Sequence, residues 1–74
     1  MTSRPAKRSL TLRGHRTSVS LEDIFWDAFR RAAKEDDIAI NELAAMIDET
    51  RGDIGLASAI RVWLYERALT RGNP

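Results

Sequence analysis

From Ser9 to Leu21 the chain alternates apolar and polar residues, but it does so in two phases. Leu10 and Leu12 are apolar at even positions, whereas Val19 and Leu21 are apolar at odd ones, with Thr17 in step with them. Alternation with period two marks a strand with one buried face. The phase changes at Arg13-Gly14-His15. One inserted residue moves every later side chain to the opposite face, so Gly14 is expected either in a bulge or in a tight turn. The pattern leaves those two open.

Beyond Leu21 the period becomes helical. Phe25, Ala28, Phe29 and Ala32 follow i, i+3, i+4, i+7 spacing, flanked by Ile24 and Ala33. Glu22, Asp23 and Asp27 come early and Arg30, Arg31 and Lys34 come late, which suits the helix dipole at both ends. Glu35-Asp36-Asp37 reads as the loop that stops this helix. A second helix is expected over about 40–49, with Ile40, Leu43, Ala44 and Ile47 on one face and Met46 beside them. Gly52 suits the left-handed residue that ends it. A third is expected over about 55–70, with Leu56, Ala59, Ile60, Trp63 and Leu64 as its apolar stripe.

A lone strand cannot satisfy its own backbone hydrogen bonds. Either residues 9–20 fold as a hairpin, or the strand pairs with the same strand of a second chain. Size favours the second solution. With 74 residues and no cysteine, the chain has a small core and no disulfide to reinforce it, and such scaffolds commonly depend on a partner subunit. A homodimer without a stable folded monomer is the expectation. No metal or cofactor is expected, because zinc-ligand sets need cysteines and His15 stands alone. No apolar run approaches a membrane span, and the basic N-terminus has no apolar stretch of a signal peptide. A cytoplasmic protein is therefore expected.

Net charge is only +1, an average that hides a split. Through residue 21 there are five basic residues, Arg4, Lys7, Arg8, Arg13 and Arg16, and no acid. The rest carries seven basic residues against eleven acids. A basic arm and strand on a mildly acidic body point to a polyanionic partner.

The segment Arg16-Thr17-Ser18-Val19-Ser20-Leu21-Glu22-Asp23, leading into Ile24-Phe25-Trp26-Asp27-Ala28-Phe29, resembles the ribbon-helix-helix DNA-binding proteins, the group of the Arc and methionine repressors. It is most similar to a subfamily of short bacterial proteins with a third helix. The resemblance covers roughly residues 9–66. It implies a mainly α fold: a dimer in which one N-terminal strand per chain forms an intermolecular antiparallel ribbon, with three helices per chain. Residues 1–8 are then a disordered basic arm and residues 9–71 the domain. The implied function is sequence-specific binding of double-stranded DNA as a transcriptional regulator, a repressor in the family's manner, with the ribbon in the major groove.

Carried over residue by residue, Arg16, Ser18 and Ser20 face base edges, while Thr17, Val19 and Leu21 seal the core. Groove width and strand periodicity are compatible with this. Ser20 has an alternative role as the N-cap of the first helix, with Asp23 completing a capping box. The family also holds phosphate at the start of its second helix, here Ala39, Ile40 and Asn41. Ala39 stands where a Ser or Thr is usual, and Asp36 and Asp37 are close by in sequence. Arg4, Lys7, Arg8, Arg13 and His15 are the remaining expected phosphate contacts.

Trp26, Trp63 and Tyr65 read as core or dimer-interface aromatics rather than base-stacking platforms. The acids Asp36, Asp37, Asp48, Glu49 and Asp53 match no calcium-loop spacing. Without a Gly-rich phosphate loop or a Ser-His-Asp order, no enzyme is expected. Two other functions share the fold: the antitoxin of a toxin–antitoxin pair, and a dimeric interaction module that does not bind DNA. An antitoxin is expected to continue into a toxin-wrapping tail, and an interaction module has no need of an acid-free basic ribbon.

Overall fold

A computed structural model describes residues 4–70. Two strands, β1 (Ala6–Leu12) and β2 (His15–Leu21), are followed by three helices, α1 (Asp23–Glu35), α2 (Ile40–Thr50) and α3 (Leu56–Thr70). The strands form an antiparallel hairpin with Leu12 opposite His15, Leu10 opposite Thr17, Arg8 opposite Val19 and Ala6 opposite Leu21. Only Arg13 and Gly14 connect them, with φ of +48° and +87°. Positive φ at both central residues is the type I′ pattern, whose twist matches that of the strands it joins. This explains the change of phase. Partners across an antiparallel pair share a face, so the even positions of β1 and the odd positions of β2 point the same way.

That shared face closes a core built by every element. Leu10, Leu12, Val19 and Leu21 come from the hairpin, Trp26, Phe29, Ala32 and Ala33 from α1, Leu43, Ala44, Ala45 and Ile47 from α2, and Ala59, Ile60 and Leu64 from α3. β1 lies against α2, and β2 against α3 and α1. Full burial of a large apolar side chain contributes about 1.5–3 kcal/mol, and Trp26, Phe29, Leu21, Leu43 and Ile60 are all below 2% exposed. α1 is terminated by Asp37, at φ +59°. The Ile38 and Asp37 N–H groups donate to the Ala33 and Lys34 carbonyls, the paired bonds of a Schellman turn. Gly52, at φ +63°, takes the left-handed position after α2.

The structure departs from the expected ribbon in one main respect. It contains two strands per chain rather than one, and residues 9–20 take the hairpin of the two alternatives the pattern left open. β1 also begins at Ala6 and so takes in residues 6–8 of the segment assigned to the arm. Their ordering has a visible cause. The buried Trp26 donates its indole N–H to the Ala6 carbonyl at 2.8 Å, and the Arg8 guanidinium lies 5.5 Å from the Trp26 ring centroid. Residues 1–3 of the arm, and residue 71 at the far end of the expected domain, lie outside the described residues. Smaller differences concern helix faces. Trp26, not Ile24, joins the α1 stripe, and Ile24 is 68% exposed. Glu22 is the N-cap of α1, with no side-chain cap bond, so Ser20 does not cap it.

Most acids of the body are held by arginines. Arg61 of α3 donates to Glu22 at 2.9 and 3.1 Å and to the Ser20 carbonyl at 3.5 Å. Arg67 holds Asp36 and Glu35 at 2.8 and 3.1 Å while lying 5.3 Å from the Trp63 ring centroid. These pairs tie α3 to both ends of α1. Glu22 is held below its ordinary carboxylate pKa, first by its own backbone N–H and then by Arg61.

Ile60→Ala empties a fully buried site and is expected to cost about 2–5 kcal/mol in a denaturant melt. Val62→Ala, at a half-exposed site on the same helix, should stay within about 0.5 kcal/mol. The lowered Glu22 pKa also fixes a sign. Its stabilisation is present above the unfolded carboxylate value and is lost as pH falls through the folded one. Glu22→Gln should therefore be less stable than the parent at neutral pH and show a shallower loss on acidification, measured by melts across the acid range.

Candidate nucleic-acid interface

The register places a second set of residues on the face turned away from the core. Lys7 stands opposite Ser20, Ser9 opposite Ser18 and Thr11 opposite Arg16. Lys7, Ser9, Thr11, Arg16 and Ser18 are exposed and Ser20 is half-buried. This face is a small rectangle of hydroxyls with one cation from each strand at diagonal corners. It contains no acid, and among the described residues neither Lys7 nor Arg16 is in an ion pair.

The other basic residues of the hairpin behave differently from one another. Arg4 is exposed ahead of β1. Arg8 is on the inward-facing register and rests on Trp26, away from the Lys7–Arg16 face. Arg13, in the turn, is drawn to Glu49 at the end of α2, and this bond, with the charge of Glu42, raises its pKa further. His15 is exposed beside the turn, opposite the buried Leu12. The structure thus brings Arg16, Ser18 and Ser20 together, joins Lys7 to them, and separates Arg8 and Arg13 from them.

The start of α2 reaches the ribbon's edge. Asn41 Oδ1 accepts the Thr11 backbone N–H at 3.1 Å. Ala39 is the N-cap and offers no side-chain cap. The first helical bond runs from the Leu43 N–H to the Ala39 carbonyl, so the N–H groups of Ile40, Asn41 and Glu42 have no intrahelical acceptor. Asp36 is engaged by Arg67, while Glu42 adds an acid in the first turn of α2. The Thr11–Asn41 bond also fixes the character of the ladder. Thr11 and Arg16 form a non-hydrogen-bonded pair, and by alternation so do Ser9–Ser18 and Lys7–Ser20. The backbone groups of these residues point out along the two edges of the hairpin, and the Ser20 carbonyl accordingly finds Arg61.

The sequence pattern pointed to the β2 half of this face and missed the β1 half. The pattern puts Lys7 in an arm and gives Ser9 and Thr11 no role. The available signal was that the even-position alternation of Leu10 and Leu12 can be extended back to Ala6 across Arg8.

Among the described residues no group of three His, Cys, Asp or Glu is placed to hold a metal. No helix among them is long and apolar enough to cross a membrane. The surface hollows are shallow. One hollow of about 300 Å³ lies between α1 and α3 and is lined by Ala28, Arg31, Ala32, Leu64, Arg67 and their neighbours. The polar ribbon face is therefore the best candidate site.

Comparison with known proteins gives a family match. No curated protein and no solved structure matches the chain. A family profile described as "Ribbon-helix-helix domain" matches residues 5–68, from just before β1 into the last turns of α3. With a strand ribbon leading directly into successive helices and a family match over most of its length, the chain belongs to the ribbon-helix-helix domain family.

Proposed function

We propose that the protein binds double-stranded DNA sequence-specifically as a transcriptional regulator, working as a homodimer, with the outward face of the hairpin in the major groove. The observation that carries this reading is the acid-free face with Arg16, Ser18 and Ser20 exposed or half-buried on one side of a two-stranded ribbon. The B-DNA major groove, about 12 Å wide, admits such a ribbon, and strands about 4.8 Å apart fit within it. Arg16 is suited to the paired acceptors of guanine, and the serine hydroxyls can donate or accept. The unfilled N–H groups at Ile40, Asn41 and Glu42, beside the ribbon edge, are suited to a phosphate. Lys7 and Arg4, in no ion pair among the described residues, add positive charge on the same strand or just before it. Arg13 and Arg8 contribute less than their charge implies, since one faces Glu49 and the other Trp26. In this reading the homodimer sets two copies on one duplex.

Binding should weaken steeply with salt, each neutralised phosphate adding about −0.9 to the log–log slope. Arg16→Ala should lose roughly 1–3 kcal/mol of discrimination at one base position. Glu49→Gln, which releases Arg13 from its acid, should strengthen binding to all sequences alike and steepen the slope. Titrations of matched and scrambled duplexes at several salt concentrations read both effects. Absence of duplex binding, or an Arg16→Ala variant with unchanged affinity and preference, would overturn the proposal.

A further inference from the structure

β2 runs into α1 with a single residue, Glu22, between them. Ser20 is the last outward-facing position of the strand, Leu21 is fully buried, and Glu22 is already the N-cap of α1. The Glu22 carbonyl takes up the first bonds of the helix, from the Phe25 and Trp26 N–H groups at 2.9 and 3.0 Å. Its carboxylate makes no cap bond. That carboxylate is held instead from 39 residues further along the chain: Arg61 Nε and Nη2 both donate to Glu22 Oε1, at 3.1 and 2.9 Å. Nη2 also reaches the Ser20 carbonyl, at 3.5 Å, and the guanidinium lies 5.6 Å from the Phe25 ring centroid. One side chain of α3 thus touches the end of the strand, the junction and the first turn of α1. It does so from a fixed base, because its neighbour Ile60 is fully buried. The Arg61–Glu22 pair is also better sheltered than the Arg13–Glu49 pair, with side-chain exposures of 32% and 28% against 55% and 55%.

We infer that Arg61 is a positioning residue for DNA recognition: by gripping the β2–α1 junction it fixes where the Ser20 hydroxyl stands against the base edges, and so gives the third helix a part in reading sequence. The inference rests on the DNA-binding reading above and adds to it a residue that lies off the strands. A serine hydroxyl sits one carbon from its backbone and goes where the strand goes, and a hydrogen bond weakens steeply as its geometry departs from the optimum. Lys7, on the same face, has a flexible four-carbon stem with which to follow a phosphate. Slack at the junction therefore costs discrimination more than it costs charge attraction. The effect is also local. Arg16 lies four residues from Ser20, or about 14 Å along the strand, so a base contact made by Arg16 is insulated from Arg61. α3 supplies a matched control. Arg67 ties the same helix to the opposite end of α1, through Glu35 and Asp36 at 3.1 and 2.8 Å, and likewise lies over an aromatic ring, that of Trp63 at 5.3 Å.

The test is selection of bound duplexes from a random pool by the full chain and by its Arg61→Met, Arg61→Lys and Arg67→Met variants. Titrations at several salt concentrations and circular dichroism melts accompany it. Ser20→Ala and Arg16→Ala mark the base positions that those two side chains read. The expected result is that Arg61→Met relaxes preference about 3-fold or more at the position marked by Ser20→Ala, spares the position marked by Arg16→Ala, and keeps the parent's salt slope. Arg61→Lys keeps the charge opposite Glu22 but loses the planar fork of donors. It should melt close to the parent and still relax the Ser20 position, so the test stands even where Arg61→Met does not fold. Arg67→Met should lower the melting temperature without changing preference. The inference is overturned, with DNA binding left intact, by any of three results. The Arg61 variants keep the parent's preference or share no relaxed position with Ser20→Ala; Arg67→Met relaxes preference as much as they do; or Arg61→Met weakens all sequences alike and removes about 0.9 from the salt slope, the mark of a phosphate contact. Failure of the parent chain to enrich any duplex would instead overturn the DNA-binding reading, and this inference with it.

Discussion

The fold depends on a turn of two residues, Arg13 and Gly14, both with positive φ. A type I′ turn imposes the right-handed twist that flanking strands require, and it sets Leu12 opposite His15, from which the whole register follows. Once that register is set, Leu10, Leu12, Val19 and Leu21 fall on one face and the polar set on the other. Glycine takes the more extended of the two left-handed conformations at no steric cost, whereas Arg13 must accept one that L-residues adopt uncommonly. The bond from Arg13 to Glu49 holds that residue against the end of α2. The turn, the ladder and the helix layer are thereby coupled through neighbouring residues.

A self-paired ribbon changes what the rest of the chain has to do. The hairpin pairs the inner backbone groups of both strands within the chain, and the helices cover its apolar face. α3 completes that cover, with Ile60 fully buried and Leu64 at 7% exposure. Trp26 connects the two tasks: its ring fills the core beside Phe29, with centroids 6.2 Å apart, while its N–H anchors the first residue of β1. The electrostatic division follows the same layout. Acids on the helices and their connections are met by Arg30, Arg51, Arg61 and Arg67, and Lys7 and Arg16, in no ion pair among the described residues, stand on the face without acids.

Much of this was legible in the chain and some was not, for reasons that can be located. The period-two pattern of Val19 and Leu21 and the helical stripe of α3 follow from burial of one face, and one-sided burial leaves a periodic trace. The phase change at Gly14 was visible, but an insertion and a reversal shift the phase alike, so bulge and turn could not be separated by pattern. β1 was read short because Arg8 interrupts its inward row. A guanidinium lying over an indole is compatible with that position, and polarity alone does not reveal the indole beneath it. Trp26 was placed beside the α1 stripe rather than in it, since its bond to Ala6 depends on a strand not yet recognised. The polar face was half legible for the same reason: Arg16, Ser18 and Ser20 belong to the strand next to α1, and their counterparts belong to the strand that was missed.

The central claim is that the ribbon is formed within one chain. It is tested most directly by nuclear Overhauser contacts between Hα atoms, measured on a mixture of isotope-labelled and unlabelled protein. Non-hydrogen-bonded antiparallel pairs bring Cα atoms to about 4.5 Å, close enough for strong Hα–Hα contacts. The account predicts such contacts between Ser9 and Ser18 and between Thr11 and Arg16, all within labelled chains. A contact between Ser18 of a labelled chain and Ser18 of an unlabelled one, with the Ser9–Ser18 contact absent, would contradict it.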